Sequence, residues 1–151
     1  MIRRIVSTVS CLAVAILLVA SPAFAQTPAP AGMKMYAFSS GGLTIAKSAL
    51  QSGASSNPIT VPVGFFVVRH PKGNFLFDTG NNDKIISDPS YWGPFIKGLT
   101  PERGPDVAID TQLKKIGLSP DDIKYVAVGH MHLDHGGNVC KFPKATLLVQ
   151  K

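Results

Sequence analysis

From residue 34 onward, short apolar runs alternate with clusters of Gly, Pro, Ser and Asn, a pattern of brief strands and turns rather than of long helices. MKMYAFSS and GLTIAK predict two short strands around a turn at Ser40, Gly41 and Gly42. SALQSGASSNPITVP (48–62) reads as a loop. VGFFVVRH, the turn PKGN and FLFD predict a hairpin with a four-residue connection. Asp78-Thr79-Gly80 then opens a long irregular segment running to residue 105, with room for short helical turns. A stretch of that length is unusual in a compact domain unless it carries a function. Tyr91, Trp92 and Phe95 within it fit either an apolar wall for a ligand or an anchor onto the core. From Asp106 to Ile116 the apolar positions fall on one side of a helix, with Lys114 and Lys115 in its last turn and Gly117 as the stop. Ser119, Pro120 and Asp122 predict a short capped turn. YVAV reads as a buried strand, GHMHLDHGGN as a loop and TLLVQ as a final strand.

The first residues follow another rule. MIRR, an apolar run and SPAFA are the charged, apolar and small-residue regions of a secretory signal peptide, with cleavage expected after Ala25. An uncleaved anchor is the alternative, but the unbroken apolar core from Cys11 to Ala20 is short for a span. Cys11 stands at the start of that core and not after it, so it does not read as a lipid-attachment site. QTPAPAGM (26–33) is a linker. The expected mature protein is therefore periplasmic or secreted, without a stable membrane anchor.

Losing Arg3 and Arg4 lowers the basic residues from 15 to 13 against 9 acids, a net charge of +4. The lysines are scattered, and no basic stripe with interleaved aromatics speaks for nucleic acid. Cys140 would remain as the sole cysteine, which excludes an intrachain disulfide. A small packed residue is the favoured reading of it.

The chemistry concentrates in H130-M-H-L-D-H135, at the mouth of the YVAV strand, where α/β architectures commonly bind ligands. His130, His132, Asp134 and His135 place four donors in six positions, and imidazole and carboxylate are the side chains that hold zinc and similar ions. Alternate residues of an extended loop point the same way, so His130 and His132 can share one ion while Asp134 and His135 face a second. An exposed polar loop and a general acid/base pair are the competing readings. His70, beside Pro71 at the hairpin turn, reads as a surface residue.

The HMHLDH motif after YVAV resembles the signature of the metallo-β-lactamase superfamily. VRHPKGNFLFDTG, LSPDDIKYVAVGHMHLDHGGN and FPKATLLVQK are similar, more narrowly, to the N-acyl-homoserine-lactone lactonase group. The resemblance covers residues 34–151, loosely over 81–104. It implies an α/β fold, the αβ/βα sandwich with a two-metal site, usually zinc. His130 and His132 would bind the first ion, and Asp134 and His135 the second. Asp78 would hold the metal loop by hydrogen bonds without itself binding metal. It also implies opening of a cyclic ester by metal-activated water, with Asp134 sharing a proton with the leaving alkoxide.

Family members carry further metal ligands downstream of this motif, so the expectation is that 34–151 forms the N-terminal part of a longer hydrolase domain. Such a fragment would expose an apolar sheet face, bind metal weakly and lack activity by itself. A class B β-lactamase and a non-catalytic metal-binding fragment are the alternative functions. Lactonases of this group often pair, which leaves a homodimer open.

Overall fold

The computed structural model describes residues 31–102 and 104–150; the expected signal peptide (1–25) and most of the expected linker (26–33) lie outside the described residues. The framework is one mixed sheet of six strands. β1 (Lys34–Ala46), β2 (Pro58–Arg69) and β3 (Asn74–Phe77) form an antiparallel meander, edged beyond β1 by the two-residue β4 (Thr100–Pro101). β5 (Ile123–Ala127) and β6 (Thr146–Leu148) continue from β3 in parallel, so the order is β4-β1-β2-β3-β5-β6. The helices α1 (Lys47–Leu50), α2 (Lys84–Ser87) and α3 (Ile109–Lys114) are one to two turns long. No helix among the described residues is long and apolar enough to cross a membrane.

The expected β2–β3 hairpin is present, with His70 to Gly73 as its connection. His70 is half-buried and accepts the Lys72 N–H at 3.0 Å through Nδ1, which tightens the turn. The two strands expected around Ser40 are one strand instead. Residues 34–39 pair with Gly64–Arg69 and 42–46 with Pro58–Pro62, with a register slip between Ser39 and Gly42. The Gly-Gly pair therefore makes a bulge, not a turn. Gly41 has φ +86°, and a Cβ there would lie 3.0 Å from the Glu102 side chain. Pro62, which has no N–H to give a ladder, sits at this irregularity.

Two further expectations need correction. The segment 48–62 is not all loop, because it completes α1 and its last five residues already belong to β2. The helix expected over 106–116 is broken at Ala108 (ψ 134°), so α3 starts only at Ile109, after a 3-10 turn at Pro105–Val107. The capped turn after Gly117 is a 3-10 turn at Pro120–Asp122. The Asp122 carboxylate accepts the Ser119 hydroxyl at 2.7 Å and the Ser119 N–H at 2.8 Å, which holds its carboxyl below the ordinary range.

Strand alternation sorts the sheet into two faces. Phe65, Val67, Leu76 and Val126 are buried against Ile109, Leu113, Leu118 and Phe142. On the other face Phe66, Phe77, Ala127 and Leu148 lie in one cross-strand register, and Phe66, Phe77 and Leu148 are exposed. A second cluster, Leu43, Val63, Ile85 and Trp92, fastens the long segment after β3 to the sheet. Cys140 is exposed, contrary to the packed reading. In its 3-10 turn (Val139–Lys141) the inward positions belong to half-buried Val139 and Lys141, followed by buried Phe142.

Candidate metal centre

β3 and β5 are parallel neighbours with Phe77 opposite Ala127, so Asp78 and the loop from Val128 leave the same edge of the sheet side by side. The Asp78 N–H donates to the Ala127 carbonyl at 2.8 Å. Asp78 has φ +60° and is, among the described residues, the one non-glycine with positive φ. Such a conformation is costly and tends to be retained where the surroundings fix it. Here the buried carboxylate is fixed at both oxygens. Oδ1 accepts the Gly129 N–H at 2.7 Å, and Oδ2 lies 2.8 Å from His135 Nδ1. An ionised carboxylate only accepts, so His135 Nδ1 carries a proton, and in the neutral ring Nε2 keeps its lone pair.

The ligating atoms of His130, His132 and Asp134 all lie within 4.8 Å of one another. His130 Nε2 and His132 Nδ1 are 3.0 Å apart. His135 adjoins this group, with Nε2 3.4 Å from Asp134 Oδ2 and its ring centroid 4.0 Å from that of His130. The donors converge, and two imidazoles with one carboxylate are a borderline-soft set suited to zinc or a similar divalent ion. On donor chemistry and spacing, the residues present fit a metal.

Asp78 holds this loop as its sequence position suggested, but sequence reasoning missed the other residues that do so. Thr79 donates from its N–H and its hydroxyl (2.8 Å) to the His135 carbonyl. Asn138, 1% exposed, donates its N–H to Thr79 Oγ1 and its side-chain amide to the carbonyls of Thr79 and Asn81. Asn82 donates to the Gly137 carbonyl. The signal available was the polar run after Asp-Thr-Gly, NND, facing HGGN. No periodicity marks it. Close approach also explains Gly137: a Cβ there would stand 2.2 Å from the Leu133 carbonyl and 2.6 Å from the Asn82 nitrogen. Gly137→Ala is expected to destabilise the chain by about 1–3 kcal/mol, the usual range for overpacking. A lowered thermal midpoint would show it, and an unchanged midpoint would contradict the packing.

Beside the donors lies an apolar cleft of about 620 Å³ lined by Leu43, Tyr91, Trp92, Leu99, Met131, His132, Leu133 and Asp134. The wall and anchor readings of the aromatic segment divide between residues. Trp92 is buried in the second core cluster and also borders the cleft, whereas Tyr91 is exposed at the mouth. The Phe95 side chain lies outside the described residues.

A sequence profile of the metallo-beta-lactamase superfamily matches residues 61–149, and the chain belongs to that superfamily. Within it, the chain is similar to N-acyl homoserine lactonases. AttM of Azorhizobium caulinodans is 40% identical over 92 residues, which cover 60% of this chain and 35% of AttM. An N-acyl homoserine lactonase of Bacillus thuringiensis is 26% identical over 121 residues, 78% of this chain and 48% of that protein. A solved N-acyl homoserine lactone hydrolase, with the product N-hexanoyl-L-homoserine bound at its catalytic metal center, superposes with a TM-score of 0.68 at 25% identity, over 76% of this chain and 47% of that one. The sheet and helices are thus the metallo-β-lactamase α/β fold, over part of the full domain. The chain spans less than half the length of these relatives.

Proposed function

We propose that these residues form the metal-binding part of an exported, dinuclear N-acyl-homoserine-lactone lactonase that uses zinc. The observation that carries this reading is the convergence of His130, His132 and Asp134 within 4.8 Å, at the edge of an apolar cleft of a size suited to a small acylated ligand. Similarity to lactonases on both the sequence and the structural side supports the substrate class. Export rests on the reading of residues 1–25.

When bound, divalent metal supplies Lewis acidity toward the ester carbonyl and makes water acidic enough to react near neutral pH. His130 and His132 would hold the first ion through ring nitrogens, and Asp134 and His135 Nε2 would face the second. Asp78 fixes the His135 tautomer, and the Asp134 carboxylate would take up the proton that the attacking water gives up and deliver it to the alkoxide oxygen as the ring C–O bond breaks. Met131, Leu133, Tyr91 and Trp92 take the acyl chain and exclude water around it.

Four donors are fewer than two zinc sites require, since each ion normally takes three or four protein ligands. Equilibrium dialysis of the chain should therefore find weak zinc binding, and the chain alone should open no lactone. A protein carrying these residues together with the remaining ligands should bind two ions and open N-acyl-homoserine lactones in preference to β-lactams. Opening of β-lactams without lactones would overturn the substrate assignment, and absence of any zinc binding would overturn the metal reading.

A further inference from the structure

We propose that Lys141 is a positioning residue for the metal-binding loop, acting through Asp83 and Asn138. Its role toward metal rests on the reading of His130, His132 and Asp134 given above. Lys141 lies at the end of the 3-10 turn that follows the motif, and its ammonium donates to Asp83 and, at 2.9 Å, to Asp110. It therefore ties three segments that are distant in sequence: the turn after the motif, the loop before α2 and the first turn of α3.

Asp83 transmits this contact inward. Its carboxylate accepts the Ile109 N–H and the Asn138 side-chain amide, each at 3.2 Å, while its own N–H donates to Asn138 Oδ1 at 2.9 Å. Asn138 is thereby gripped at both ends of its amide. It in turn holds Thr79, whose hydroxyl and N–H hold the His135 carbonyl. The path Lys141, Asp83, Asn138, Thr79, His135 consists of hydrogen bonds throughout; Asp83 is half-buried, and Asn138 and Thr79 are buried. Burial would lower the Lys141 ammonium, but the hydrogen bonds to Asp83 and Asp110 outweigh it and hold its pKa above the ordinary value. Removing the charge would leave two carboxylates facing each other. Asp110 has no other side-chain partner among the described residues, and its second oxygen is buried unpartnered.

Lys141→Met keeps the length of the stem and removes the charge, while Lys141→Arg keeps the charge and donors. Amide hydrogen exchange on the metal-free chain reads the proposal independently of any ion. In Lys141→Met, protection at Thr79, His135 and Asn138 is expected to fall about tenfold, with Leu76 and Val126 in the sheet unchanged; a local opening behaves so, whereas general destabilisation would lower all of them. Cobalt affinity, followed by visible absorption, should fall about tenfold. Lys141→Arg should restore both measurements. Equal loss of protection in loop and sheet, or no loss at all, would overturn the positioning role. Failure of the unmodified chain to bind cobalt would instead overturn the metal reading, and the exchange comparison would still decide Lys141.

Discussion

Asp78→Asn is expected to lower metal affinity about 100-fold, at the upper end of what loss of a ligand's supporting partner costs, while leaving the sheet folded. The substitution keeps size and shape, and the amide oxygen can still accept the Gly129 N–H that Oδ1 accepts at 2.7 Å. The amide nitrogen then faces His135 Nδ1, in place of the Oδ2 that lies 2.8 Å from it. Two donors cannot share that bond, so the imidazole proton moves to Nε2 and the nitrogen facing Asp134 loses its lone pair. Zinc competition against a chromophoric chelator, with the thermal midpoint measured on the same samples, tests this. Asp78→Ala should bind metal no better and also lose stability, because it strands the Gly129 N–H and places a residue without a local side-chain acceptor at φ +60°. Undiminished affinity in Asp78→Asn would show that the carboxylate caps the strand end and nothing more.

The contrast between Asp78 and its neighbours shows what the sequence could convey. The β2–β3 hairpin, β5 and the Ser119–Asp122 box were legible because each is fixed within a few residues, by alternation or by one capping pair. The donor cluster was legible because four ligating side chains seldom crowd into six positions unless they share a ligand. β1 was not, since Ser-Gly-Gly is a turn signal locally and only pairing with the whole length of β2 makes it a bulge. Asn138, Thr79 and Asp83 were not legible for a related reason. Hydrogen bonds between loops 55 to 59 residues apart in sequence leave no period and no spacing rule. The break at Ala108 escaped too, because Val107 and Ala108 continued the apolar stripe that Ile109 and Leu113 truly occupy.

These interactions share a direction. Asp78 holds Gly129 and His135, Thr79 holds the His135 carbonyl, and Asn138 with Asn82 holds the exit of the motif. The donor loop is therefore fixed at its entrance, at its last histidine and at its exit by the segment that follows β3. Exposure is concentrated between those points, at His130, Met131 and His132, where a ligand must enter.

Asp134→Asn should produce the largest effect on catalysis. Asp134 is the one acid in the motif, it lies with His130 and His132, and it borders the apolar cleft. As a general acid toward the leaving oxygen it would contribute about 10²- to 10⁴-fold. Asparagine keeps the volume and an oxygen donor and removes the charge and with it the capacity to take up and deliver a proton. In the proposed lactonase, kcat should accordingly fall by that factor for an alkyl lactone, whose alkoxide leaves poorly without a proton. The fall should be much smaller for an aryl ester, whose phenolate leaves unaided. Metal content measured on the same samples separates this from loss of an ion, which would slow both substrates alike. Equal slowing of the two substrates with both metals retained would assign the proton to another group and leave Asp134 as a ligand only.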